Sequence, residues 1–315
     1  MKEKTNIVVI GDVFADLTAH VQGFPEKGGR TFGTAYTRNG GGTAGNIAAG
    51  LAVLGMEPSI VCGIGQDETG DFLMEELRLC SVDVSHVVRK ENLKSGVVPI
   101  LIDRDGERVI YVLVKGSAYE AIEPEDVSFL EEMEPDILCF TGVIMGAHPV
   151  QETVIETAKR WKGKAKMYFD PNLCYPADDV PEEICAATQE LAGLCDVVLT
   201  GKTEMEALGL HPKKGQRYIV KCGGKGSMLL DEGGEVTYRL PATRHRPVDT
   251  TGAGDTFMAA YVAADAKGLP VYEAMKYASV AAGIAVTKAG ARNMPKPKEI
   301  EEYMDVYEQD LREEK

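Results

Sequence analysis

Short apolar runs rich in β-branched residues alternate along the chain with longer amphipathic stretches, and that alternation predicts a sheet layered with helices. The short runs predict strands at Asn6 to Ile10, Ser59 to Cys62, Asp136 to Thr141, Lys166 to Asp170, Val197 to Thr200, Tyr218 to Lys221 and Ser227 to Leu230. Helical spacing covers Thr43 to Leu54, Glu68 to Leu79, Pro149 to Trp161, Pro181 to Leu194 and Lys202 to Leu208, and a helix-rich end follows Gly254. Such βα alternation implies an α/β fold with a mostly parallel sheet and right-handed crossovers.

Two segments leave this rhythm. Val13 to Thr37 and Val97 to Val114 carry strand-like residues with no helix between them, and Asp103-Arg104-Asp105-Gly106 predicts a hairpin turn in the second. Such strands predict a small second sheet, and a small sheet beside a site is a natural lid. Phe32 to Asn39 reads as polar and irregular. Lys298 to Lys315 reads as a surface helix with a frayed acidic end.

Composition narrows the class. The 315 residues allow one large domain or two smaller ones, and 44% hydrophobic with 26% charged residues is ordinary for a globular chain. The 34 Lys and Arg against 49 Asp and Glu give a net charge of -15, a surface that repels nucleic acid and anionic lipid. Seven scattered cysteines with no C-x-x-C pair point to a reducing compartment. The apolar stretch Ile7 to Ile10 is too short for a signal h-region or a membrane span, so a cytoplasmic location is expected.

The strongest chemical signal is Asp249-Thr250-Thr251-Gly252-Ala253-Gly254-Asp255-Thr256 before a small-residue helix. Gly-Ala-Gly exposes consecutive amides where a helix aims its positive dipole end, which makes an anion site. A carboxylate beside a bound phosphate is electrostatically costly, so Asp255 is expected to take the proton of a hydroxyl that attacks it. A second run, Gly40-Gly41-Gly42-Thr43-Ala44-Gly45-Asn46, satisfies G-x-G-x-x-G but does not follow the first strand as a dinucleotide fingerprint must. Close backbone approach to a polar ligand, with Asn46 hydrogen-bonding it, fits better; tight packing of a glycine-rich helix start is the alternative.

Gly201-Lys202-Thr203 mimics the end of a P-loop, but Asp196 stands where the first glycine belongs; Glu204 remains as a metal or water ligand. Asp12 and Asp16 follow the first strand, where ligands gather, and paired acceptors there suit vicinal hydroxyls. The five histidines share no metal-ligand spacing, and Trp161 reads as helix-end packing.

With these motifs in order, the chain resembles the ribokinase-like (PfkB) carbohydrate kinase family over nearly its whole length. The late D-T-x-G-A-G-D signature stands at Asp249 to Asp255 and the early G-G-x-x-x-N element at Gly41 to Asn46, with its L-G at Leu54-Gly55. G-x-D-x-x-G stands at Gly65 to Gly70 and K-x-G-x-x-G at Lys221 to Gly226. The resemblance implies one ribokinase-like domain over residues 1–315, a three-layer α/β/α sandwich whose lid is formed by insertions at about 13–37 and 97–114. It implies ATP-dependent phosphorylation of a hydroxyl on a small sugar, with a nucleoside as the alternative acceptor. By the same resemblance Asp255 is the base, with the amides of Gly252, Ala253 and Gly254 as the anion hole. Asp12, Asp16, Gly41, Gly42 and Asn46 hold the acceptor, while Lys221, Gly223 and Gly226 lie near the nucleotide. Glu204 organises Mg²⁺, and a monovalent cation is a further candidate cofactor.

Two positions depart from the pattern. Gly201 stands where the family's N-x-x-E has Asn, and Cys174 stands where many of its sugar kinases have Arg, which weighs against a sugar acid. The rival classes are a dinucleotide-dependent oxidoreductase and a non-catalytic sugar- or nucleoside-binding protein. A homodimer through the lid is the expected assembly to test.

Overall fold

The computed structural model describes residues 5–313. Its strands are β1 (Ile7–Ile10), β2 (Phe14–His20), β3 (Thr37–Gly41), β4 (Pro58–Val61), β5 (Gly63–Gly65), β6 (Val88–Lys90), β7 (Val97–Ile102), β8 (Arg108–Ile110), β9 (Ile137–Thr141), β10 (Lys166–Asp170), β11 (Val197–Gly201), β12 (Arg217–Lys221), β13 (Ser227–Leu230) and β14 (Val236–Leu240). Its helices are α1 (Thr43–Val53), α2 (Glu68–Leu79), α3 (Leu130–Met133), α4 (Val150–Trp161), α5 (Glu182–Leu194), α6 (Lys202–Ala207), α7 (Ala253–Ala266), α8 (Val271–Ala285) and α9 (Pro297–Glu313).

The main sheet has eight strands in the order β14-β13-β12-β11-β10-β9-β1-β4. From β4 to β12 its pairings are parallel, and β13 and β14 close one edge antiparallel. Because successive side chains of a strand point to opposite faces, β1 feeds two cores. Ile7 and Val9 pack with α1, α7, α8 and α9 on one face, and Val8 and Ile10 with α4 and α5 on the other. This is the expected three-layer sandwich. Each fully buried aliphatic side chain contributes roughly 1.5 to 3 kcal/mol, so these two faces dominate the stability.

β1 sits between β9 and β4, and the chain leaves it first toward one neighbour and later toward the other. Ligands of open α/β sheets gather at such a switch point, outside the carboxyl ends of the strands.

A four-stranded sheet, β3-β2-β7-β8, stands apart from the main one. The hairpin between β7 and β8 forms as expected, with Asp103 Oδ1 accepting from the amides of Asp105 and Glu107, both at 2.9 Å. The irregular reading of Phe32 to Asn39 is corrected at its end, because Thr37–Gly41 pairs antiparallel with β2. Thr-Arg-Asn-Gly-Gly has no apolar alternation to announce a strand; the ladder to β2 makes it one. β14 was likewise absent from the predicted strands. It is an edge strand whose first four residues are exposed, although Val-Thr-Tyr-Arg-Leu carries the apolar–polar alternation of a strand.

Candidate active site

The site is assembled where α1 and α7 meet. Both helices are made of small residues, and the missing side chain of Gly50 lets them close: a Cβ there would stand 2.9 Å from the Ala259 Cβ. One helical turn before each contact residue come Asn46 and Asp255, so the same close approach brings these two side chains together. Asn46 Nδ2 donates to Asp255 Oδ2 at 2.7 Å.

Asp255 is the third residue of α7, whose N-cap is Gly252 in the left-handed region at φ 73°. The carboxylate therefore is not the helix cap. A Cβ at Gly252 would lie 2.2 Å from the Ala291 carbonyl oxygen, so both the backbone twist and the tight passage require glycine. Of the three amides expected to form an anion hole, that of Ala253 donates to the Thr250 carbonyl at 3.2 Å. The turn entering the helix uses that donor; among the described residues, the amides of Gly252 and Gly254 have no backbone acceptor. A Cβ at Gly254 would meet Lys221 Nζ at 3.2 Å, so an ammonium joins the helix dipole at the same spot.

Burial pushes the Asp255 carboxyl up to about 7. The Asn46 hydrogen bond opposes the rise, the nearby Asp170 adds to it, Lys221 opposes it, and Asp12 adds again. Lys221 and Asp170 form a buried ion pair. Burial alone would depress Lys221, but Asp170 and Glu204 outweigh it and hold the ammonium protonated. We take the pair as charged.

The expected pairing of Asp12 with Asp16 is not what the structure builds. Asp12 is 1% exposed, and its two oxygens accept from the Thr43 amide and the Thr141 hydroxyl, each at 2.8 Å. It ties α1 and β9 to the end of β1 and stands beneath the site. Asp16 lies on β2 over Gly41, where a Cβ would be 2.3 Å from its Oδ2. Burial pushes its carboxyl up to about 6, against the pull of Arg292. Gly42 caps α1 at φ 83°, with room for no Cβ beside the Asp12 carbonyl.

Glu204 starts α6 at the end of β11. Its Oε2 accepts from the Gly201 amide at 2.6 Å and its Oε1 from the Leu173 amide at 3.1 Å, so it joins β11 to the loop after β10. Gly201 adopts φ -76°, which any residue tolerates. Among the described residues, no three or more His, Cys, Asp or Glu are grouped to hold a metal. Lys221, Gly223 and Gly226 line a cavity that runs past the start of α7 to Phe257, Ala282 and Val286. Gly226 turns at φ 88° where a Cβ would strike the Leu240 carbonyl. A slot with the Lys221 ammonium and helix amides at one end and apolar walls at the other suits a nucleotide.

Two residues that the sequence reading passed over belong to this region. Arg292 donates through Nε to Asn46 Oδ1 at 3.1 Å and through Nη2 to the Gly41 carbonyl at 3.2 Å. Arg108, on β8 of the small sheet, donates to the Thr251 hydroxyl at 2.9 Å and pairs with Asp249 at 3.4 Å. Neither has a motif spacing that could have revealed it.

A recessed carboxylate beside the glycine-rich start of a helix, at the carboxyl ends of an α/β sheet, is an arrangement suited to a phosphotransferase that acts on a hydroxyl. The chain matches the pfkB family carbohydrate kinase model over residues 4–299 and belongs to that family. It is 29% identical over 308 residues to the uncharacterized sugar kinase PH1459 of Pyrococcus horikoshii, covering 96% of each chain. It superposes on that protein's structure in complex with ATP with a TM-score of 0.82, covering 94% of this chain and 97% of the other. Ribokinase of Bacillus subtilis is 30% identical over 305 residues, covering 95% of this chain and 99% of the relative. The structure of Arabidopsis thaliana ribokinase complexed with ribose and ATP superposes with a TM-score of 0.78 at 25% identity, over 96% and 99% of the two chains. Family membership removes the oxidoreductase reading: the Gly40, Gly42, Gly45 run begins within β3 of the small sheet and does not follow β1. No helix among the described residues is long and apolar enough to cross a membrane.

Proposed function

We propose that this chain transfers the γ-phosphoryl group of ATP to a hydroxyl of a small sugar, with Asp255 as the general base. The observation that carries the reading is the setting of Asp255: one carboxylate oxygen is held by Asn46, the other has no protein donor among the described residues, and the start of α7 lies alongside. A carboxyl tuned to about 7 is matched to taking a proton near neutral pH. The acceptor hydroxyl gives its proton to Asp255 as its oxygen bonds to the γ-phosphorus; the bond to the β,γ-bridging oxygen breaks and ADP leaves with that electron pair.

Asp16, with the backbone of Gly41 and Gly42, holds the acceptor, and Asp12 fixes the start of α1 beneath it. The amides of Gly252 and Gly254 and the Lys221 ammonium receive the charge that gathers on the transferring group. Gly223 and Gly226 shape the nucleotide slot. Mg²⁺ supplies charge neutralisation at the phosphates, and Glu204 fits a hydrated ion, since a carboxylate with two amide donors keeps lone pairs for water. Arg108 links the small sheet to the Asp249 loop, which supports its role as a lid. Mixing the protein with ATP, Mg²⁺ and a panel of sugars and nucleosides tests the reading. ADP should form with a sugar in preference to a nucleoside; ADP formation with no member of the panel refutes it.

A further inference from the structure

The glycine-rich run before α1 is filled from behind by a side chain. A Cβ built on Gly40 would stand 2.3 Å from Arg292 Nη1, and one on Gly45 would stand 2.7 Å from Nη2. The guanidinium thus occupies space that any other residue type at these two positions would take, and it does so in the segment between α8 and α9, far away in sequence. Its Nε can only donate, so it decides which end of the Asn46 amide faces it. Oδ1 turns to Arg292, and the NH₂ end is left to donate to Asp255. A flipped amide would set oxygen against carboxylate and NH₂ against guanidinium, two repulsive contacts in place of two hydrogen bonds.

We propose that Arg292 is a positioning residue for phosphoryl transfer: through Asn46 it fixes the amide donor on Asp255 Oδ2 and so sets the pH range in which Asp255 acts as base. This rests on the reading of Asp255 given above. Asp255 is faced by Asn46 from α1, Asp12 from the end of β1, Asp170 from β10 and Lys221 from β12, and Cys174 of the loop after β10 also senses its charge. Arg292 in turn is faced by Asp16 of β2 and by Glu76 and Cys80 at the end of α2. Arg292 is linked to Asp255 by a chain of two hydrogen bonds through the Asn46 amide, and the double variant below separates that route from a direct effect of its charge.

The test needs no acceptor. Aspartate carboxyl carbons are labelled with ¹³C in the full chain, the Asp255 resonance is assigned by its loss in Asp255→Asn, and its midpoint is followed by titration. Arg292→Met should raise that midpoint by about one pH unit, a tenfold loss of base at a fixed acidic pH. Gly45→Ala, which keeps the charge but crowds the guanidinium off its seat, should raise it too. Adding Arg292→Met to Asn46→Ala should produce no further shift. An unmoved midpoint in Arg292→Met, or an equal shift with Asn46 already removed, overturns the proposal. Where Arg292→Met does not fold, Gly45→Ala decides, and an unmoved midpoint there is likewise fatal. Failure of the base reading shows separately, as turnover in Asp255→Asn, whatever the titration gives.

Discussion

At Asp255 function is bought against stability. Its carboxyl sits at about 7 in the folded chain against 3.8 for an unperturbed aspartate. The raised value means the folded state binds the proton more tightly than the unfolded one, so this group favours folding most below pH 4 and that contribution is lost as pH rises toward 7. Asn cannot ionise and can still accept the Asn46 hydrogen bond. Asp255→Asn should therefore melt at a higher temperature than the wild type at pH 8, with the advantage shrinking toward pH 4. Thermal melts across that range check it; an advantage that does not change with pH would place the carboxyl in an ordinary solvated setting. Asp12 makes a contrast four residues from Asp16. Burial raises its carboxyl as well, but at 1% exposure it stands beneath the site with each oxygen held by the fold, and nothing in the spacing of two aspartates reveals which is which.

At the scale of elements, the close seam between α1 and α7 places the site. Gly50→Leu would force the helices apart against Ala259 and Met294, and overpacking of this kind typically costs about 1 to 3 kcal/mol. We expect a urea midpoint lowered accordingly and a loss of turnover larger than the stability change explains, since Asn46 moves away from Asp255. A variant destabilised but fully active would show that the seam does not set the site geometry. The helices and parallel strands were legible because each carries its own periodicity, and the Asp249 to Asp255 run because glycines before a helix have a local meaning. The motif Gly65 to Gly70 is local too, but structural: Asp67 caps α2 through the Gly70 amide at 2.8 Å and binds Ser95. β3, Arg108 and Arg292 were hidden because their roles come from partners distant in sequence, whereas β14 forms a hairpin with the adjacent β13 and was overlooked for want of a buried face. The guanidinium of Arg292 gives Gly40 and Gly45 a reason that no reading of the glycine run alone supplies.

Across the whole molecule, the two cores hold the sheet rigid while its carboxyl edge gathers Asp12, Thr141, Asp170, Gly201 and Lys221 around the switch point. The small sheet reaches the same edge through Arg108, an exposed contact of a type that contributes at most about 1 kcal/mol. The net charge of -15 is met at the nucleotide slot by Lys221 and by the dipole of α7, which is where an anionic co-substrate would need them. The central claim is that Asp255 takes the acceptor proton. Its most direct test is single-turnover phosphoryl transfer by Asp255→Asn with the best acceptor from the panel, beside ATP binding by the same protein. Loss of the general base should lower the rate by ~10² to 10⁴ while ATP affinity stays near that of the wild type. A rate close to wild type would contradict the account.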